Sequence, residues 1–170
     1  MLGAFSKFHY AGRHAAPFVI TLFLQLLCMV PLQLKGFGSI APSIALMGIF
    51  FWTVYRPDLM GPLAAFTLGL VQDAISGAPL GMNASIALLT YATVLSQRQL
   101  FLAHSFPVLW WGYGMIAIGA GLIAWSGYSL AVWQVLPIGP MVFHTLSGIA
   151  LFVPVAWLFG LVHAAFVSEG

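Results

Sequence analysis

A chain of 170 residues that is 62% hydrophobic and 5% charged is too apolar for an ordinary soluble domain, in which about a quarter of the residues carry charge. A net charge of +2, with no basic patch, excludes nucleic-acid binding as the main task. The lone Cys28 excludes an intramolecular disulfide and reads as a small apolar filler.

What remains is an all-α polytopic membrane protein, because apolar runs of roughly 18–25 residues follow one another, each able to cross a hydrocarbon core of about 30 Å. The first sixteen residues form a basic, His-containing lead with Lys7 and Arg13. Such a lead before an apolar run has the form of a signal peptide. The run over 17–34 is long for that, and the cleavage-like site near Ser39-Ile40-Ala41 is poor. It is read as a retained first span, with Thr21, Gln25 and Cys28 on one face by their spacing. Lys35-Gly36-Phe37-Gly38-Ser39 makes the first turn.

A second span covers 40–55 and closes at Tyr55-Arg56-Pro57-Asp58. A third runs over 57–76, with Pro57 and Pro62 as alternative starts. The break Gly77-Ala78-Pro79-Leu80-Gly81 follows, then a fourth span over 80–96 and the polar connector Gln97-Arg98-Gln99. A fifth span is expected over 107–125, an interfacial loop over 127–140, and a sixth span over 141–167. Pro17, Pro42, Pro62, Pro107 and Pro140 fall near helix starts, where a missing N–H does no harm, whereas Pro154 falls inside the sixth span and should kink it. The whole of 1–170 is then a single transmembrane domain of about six helices.

Orientation follows from the basic residues. With both termini cytoplasmic, Lys7, Arg13, Arg56 and Arg98 are inside and only Lys35 is outside, as the positive-inside rule requires. The break after Ser76 then lies toward the outer face. A helix from Pro62 to Gly77 rises only about 22 Å, short of the ~30 Å core, so that start would submerge the break in the outer leaflet. A start at Pro57 would make the break an external turn.

Gly69, Asp73 and Gly77 lie four apart, along one stripe of the third helix. Asp73 is the only carboxylate in a predicted span, since Asp58 is in a loop and Glu169 at the tail. A carboxylate there costs about 2.5–3.5 kcal/mol on insertion scales, so something must offset it. Paired-carboxylate acid–base chemistry has no second member. The five histidines form neither HxxxH nor HExxH, and no nucleophile motif is present. The residues therefore propose no catalytic group, no metal and no cofactor. Three readings of Asp73 stay open: an anchor accepting hydrogen bonds from the Gly77–Asn83 turn or from nearby amides such as that of Gln72, a contact to a partner or ligand in an outward crevice, or an ion-coupling acid. Asn83 reads equally as a polar partner at the start of the fourth span or as a ligand contact. Small-residue pairs such as Ala65/Gly69, Ala117/Gly121, Ala120/Ala124 and Gly160/Ala164 allow close helix packing, within the chain or in a homodimer.

The stretch Gly69-Leu70-x-x-Asp73-x-Ile75-x-Gly77-x-Pro79-Leu80-Gly81, with Tyr55-Arg56-Pro57 and Gly61-Pro62 upstream, resembles the signature of the MreD family of bacterial rod-shape-determining membrane proteins. The specific part of the likeness covers about 55–97. It implies a non-enzymatic subunit of the cell-wall elongation machinery in the inner membrane, beside the single-span scaffold MreC. The MreB filament, a RodA-like glycosyltransferase and a penicillin-binding transpeptidase would be its further partners. It also implies a fold similar to the S components of energy-coupling-factor transporters. A rival reading follows from that similarity: a small-ligand-binding component of a transporter, with an outward crevice near Asp73.

Overall fold

The computed structural model describes residues 16–28, 43–103 and 105–166. The basic lead with Lys7 and Arg13, the later part of the first span, the Lys35–Ser39 turn and His104 lie outside the described residues. Six helices and no strand are found among the described residues: α1 (Ala16–Cys28), then α2 (Ile44–Tyr55), α3 (Pro62–Ser76), α4 (Met82–Leu102), α5 (Phe106–Val132) and α6 (Ile138–Phe166).

Helix α2 is the core. Every residue from Ile44 to Val54 is buried, which suits a segment apolar on all sides. The other helices wrap it. Gly48 of α2 lies so close to the Thr21 side chain of α1 that any Cβ would overlap it. On another side, Phe50 meets Phe101, Tyr113 and Phe152 edge-on, with ring centroids 5.4, 5.5 and 5.6 Å away, and Tyr113 stacks on Phe152 at 4.2 Å. Such pairs contribute about 0.5–1.5 kcal/mol each beyond the area they bury. They tie α2, α4, α5 and α6 together.

Several boundaries differ from the sequence reading, each for a local reason. The third helix begins at Pro62 rather than 57, because Arg56 reverses the chain: its carbonyl accepts from the N–H groups of Leu59 and Met60. Pro62 then opens α3 where its missing N–H costs nothing. Helix α4 does not stop at residue 96 but runs through Gln97-Arg98-Gln99. These straight-chain residues are good helix formers, and Arg98 Nε donates to the Val54 carbonyl at 2.8 Å, capping the end of α2.

Helix α5 continues past Trp125 to Val132 and ends on Trp133 in the left-handed region (φ 56°). The Trp125 indole closes the loop by donating to the Leu136 carbonyl at 3.0 Å. The loop expected over 127–140 shrinks accordingly. Helix α6 continues on both sides of Pro154. The Trp110 indole donates to the Ile149 carbonyl at 2.9 Å, one residue before the Ala150 carbonyl that proline leaves without its donor.

Among the described residues, two helices, α5 and α6, are long and apolar enough to cross a membrane, while α1 and α2 are apolar but shorter. The outward faces of α5 and α6 carry large exposed apolar side chains, including Trp111, Met115, Leu146 and Trp157.

Candidate functional site

The junction between α3 and α4 gathers most of the motif. Helix α3 ends on Gly77 at φ +67°, and Gly81, which precedes α4, has φ +96°. Both are left-handed positions that glycine reaches without steric cost. Gly81 has no side chain with which to cap α4. Asp73, one turn back from the end of α3, supplies the cap instead.

The Asp73 side chain is only 1% exposed. Its Oδ2 accepts from the Gly81 N–H at 2.8 Å and from the Ala84 N–H at 3.4 Å. Its Oδ1 accepts from the Asn83 N–H and from Asn83 Nδ2, both at 2.9 Å. In helix numbering the backbone donors are the cap residue, N2 and N3, of which N2 and N3 are the groups an N-cap side chain normally serves. The α4 N-terminus also presents the positive end of the helix dipole to the carboxylate. A single acid thus pins two antiparallel helices, and the cost of burying it is offset by four donors.

Gly69 serves the same junction differently. A Cβ there would lie 2.5 Å from Ala84 Cα and 2.7 Å from the Asn83 carbonyl oxygen, so the α3 and α4 backbones are in direct contact. This brings Asp73 within reach of the α4 N-terminus. Asn83 extends the junction to α5, because its Nδ2 also donates to the Tyr128 hydroxyl at 3.2 Å. On the other side, Gln25 of α1 donates from Nε2 to the Leu68 carbonyl at 3.2 Å and to Gln72 Oε1 at 3.0 Å. Leu80 stands at the tip of the turn, 78% exposed.

Of the two sources the sequence offers for the donors to Asp73, the turn supplies them, while the neighbouring amide of Gln72 is engaged with Gln25 of α1. Tyr128 carries no signal in the sequence, where it falls in the loop expected over 127–140, whereas the structure places it in α5.

Tyr55, Arg56 and Pro57 do not join this group. They lie at the opposite end of α3, about 22 Å along a helix of its length. There Arg56 forms an exposed ion pair with Asp58, Nη2 to Oδ2 at 3.0 Å, and the hydrogen bond to Asp58 holds its guanidinium above its ordinary pKa. Such surface pairs contribute about 0–1 kcal/mol. With Arg98 committed to Val54 and Arg56 to Asp58, both arginines at this end already have partners within the chain.

A crevice of about 30 Å³ opens beside the junction, lined among others by Ser43, Leu46, Gly69, Gln72, Asn83 and Ala87. Small-molecule pockets are about 300–1,000 Å³, so this one is an order of magnitude too small for a vitamin-sized ligand. No group of three or more His, Cys, Asp or Glu side chains that could hold a metal is found among the described residues.

Searches against curated proteins and solved structures return no match. The family model described as rod shape-determining protein MreD matches residues 13–165, almost the whole chain and with it both ends of α3. The chain therefore belongs to the MreD family of rod shape-determining proteins.

Proposed function

We propose that this protein is a non-enzymatic, multi-pass subunit of the bacterial inner membrane, acting as a helical platform for the cell-wall elongation complex. In this reading residues 1–170 form one membrane domain with cytoplasmic termini. The single membrane helix of an MreC-like scaffold packs on it, and a RodA-like glycosyltransferase, a penicillin-binding transpeptidase and the MreB filament associate directly or through that scaffold.

The observation that carries the reading is the α3–α4 junction, in which the buried Asp73 is spent on holding two helices in register. That is the use expected of a rigid docking element, and it leaves the acid no free acceptor for chemistry. The exposed face of α4 supports it. Ser85, Ala92, Thr93 and Ser96 lie on that face, small and hydroxyl-bearing residues of the kind that line helix–helix contacts in membranes, between the exposed Leu89, Leu95 and Leu100. The faces of α5 and α6 carry the bulkier Trp111, Met115 and Trp157, which suit lipid.

Photo-crosslinkers placed at Leu89, Ala92 and Ser96 in cells test the proposal. They are expected to capture a single-span scaffold protein, while crosslinkers at Met115 and Trp157 capture lipid or nothing. Capture of the scaffold from the α5–α6 face alone would refute the assignment of the platform.

A further inference from the structure

We infer that this protein thins the outer leaflet on one flank, drawing phospholipid headgroups down by about 8 Å to meet the α3–α4 turn. The inference rests on the membrane placement proposed above and concerns lipid, not the protein partner.

The two flanks have different polar-to-polar lengths. On the α5 flank, Trp111 and Trp133 are 71% and 90% exposed, and the helix carries one about 33 Å from the other. Exposed tryptophans favour the membrane–water interfaces, and that spacing suits a hydrocarbon core of about 30 Å. On the α3–α4 flank the limits are closer together. Arg98 and the Arg56–Asp58 pair mark the inner end, and the turn at Gly81 marks the outer one. From Arg98 to Gly81 the rise is about 25 Å. Helix α3 itself, 15 residues long, rises only about 22 Å.

The difference lies on the outer side. At the inner end the flanks agree, because Phe101, one turn beyond Arg98, packs so closely on Gly112 that a Cβ there would overlap its ring. Gly112 adjoins Trp111. At the outer end, a Cβ on Gly127 would overlap the Met82 side chain, and Asn83 Nδ2 donates to the Tyr128 hydroxyl at 3.2 Å. Helical side chains lean toward the N-terminus of their own helix. Met82 therefore reaches outward to Gly127, and Tyr128 reaches inward to Asn83. Both leanings put the start of α4 no further out than Gly127. From there α5 continues about 9 Å to Trp133, in keeping with the difference between the two flanks.

The protein has no cheap way to remove this mismatch by itself. Lifting the turn would pull the arginines into the inner hydrocarbon, where charge is costly. Long side chains usually escape by snorkelling, but Arg98 Nε is held on the Val54 carbonyl at 2.8 Å and Arg56 on Asp58. A submerged turn is no better. Gly77, Pro79 and Leu80 are exposed, and lipid-exposed irregular backbone does not occur in the hydrocarbon region. The bilayer is the softer component and yields to mismatch at modest cost. Shortened acyl layers then cover the exposed face of α3, which carries Leu63, Thr67 and Ala74.

Spin labels on the full chain, with Cys28→Ser, in phosphatidylethanolamine–phosphatidylglycerol vesicles test this. Their depth is read from collisions with oxygen and with a water-soluble nickel chelate. Labels at Leu80→Cys and Val135→Cys should report the same outer headgroup depth. A Leu80 label about 8 Å deeper than the Val135 label overturns the inference. Protection of Leu80 from both reagents overturns it too, because protein rather than lipid would then cover the turn. Gln97→Cys, beside Arg98, should lie at the inner headgroups; a label there within the hydrocarbon would mean that the molecule shifts and the leaflet does not. Leu122→Cys, midway along α5, checks the placement itself and should sit near the bilayer centre. A water-exposed Leu122 label refutes that placement and the inference with it, whereas a central Leu122 with a deep Leu80 refutes the thinning alone.

Discussion

Asp73 shows how a residue that invites a catalytic reading can be consumed by structure. An acid in an apolar helix is costly, and the sequence offered three ways to offset that cost. The geometry shows a trans cap, with both oxygens filled by donors from residues 81 to 84. Asp73→Ala leaves those donors unpartnered and is expected to destabilise the protein by about 2–4 kcal/mol, and on the docking role proposed above it loses the scaffold partner in parallel. Thermal unfolding in lipid nanodiscs and co-purification measure the two effects. An unchanged midpoint would show that the cap contributes nothing. Spacing alone placed Asp73 in line with Gly69 and Gly77, but could not choose among the readings, because the donors come from residues eight to eleven positions away and depend on how the turn folds.

At the scale of elements, the motif glycines turn out to serve two distinct needs. Gly77 and Gly81 provide left-handed backbone, while Gly69 provides helix-to-helix contact. Gly160, also in a small-residue pair, faces open space. Gly69→Ala is therefore expected to cost about 1–3 kcal/mol by forcing α3 off α4, and Gly160→Ala to change stability by less than about 0.5 kcal/mol. Equal effects from the two, measured by unfolding under identical conditions, would contradict this division. The helix ends moved for equally local reasons. A turn at Arg56 delays α3 to Pro62, and a side chain reaching across to Val54 suits the continuation of α4 through Arg98. Sequence punctuation marks where a helix can stop, whereas a tertiary partner can make it worthwhile to continue.

On the scale of the whole molecule, the short α2 is the hub, and the long α5 and α6 form a wall with a lipid-compatible outer face. Phe50 touches three other helices through its ring, so Phe50→Ala should cost about 3–5 kcal/mol. Met115→Ala, on the exposed face, should stay within about 0.5 kcal/mol; comparison of the two midpoints in nanodiscs checks the assignment of inside and outside. The sequence by itself determined the helical class, the positions of the α3–α4 break and of the Arg56 turn, and the family, since these follow from composition, from glycine and proline chemistry, and from a contiguous motif. Only the tertiary structure decided that α2 is enclosed while α5 and α6 are not, because near-uniform hydrophobicity erases the amphipathic pattern that marks a buried face in soluble helices. The same holds for Asp73. Its spacing in the sequence announced that something must hold the carboxylate, but the identity of the four donors depends on Gly69 letting two backbones touch, a contact no local pattern encodes.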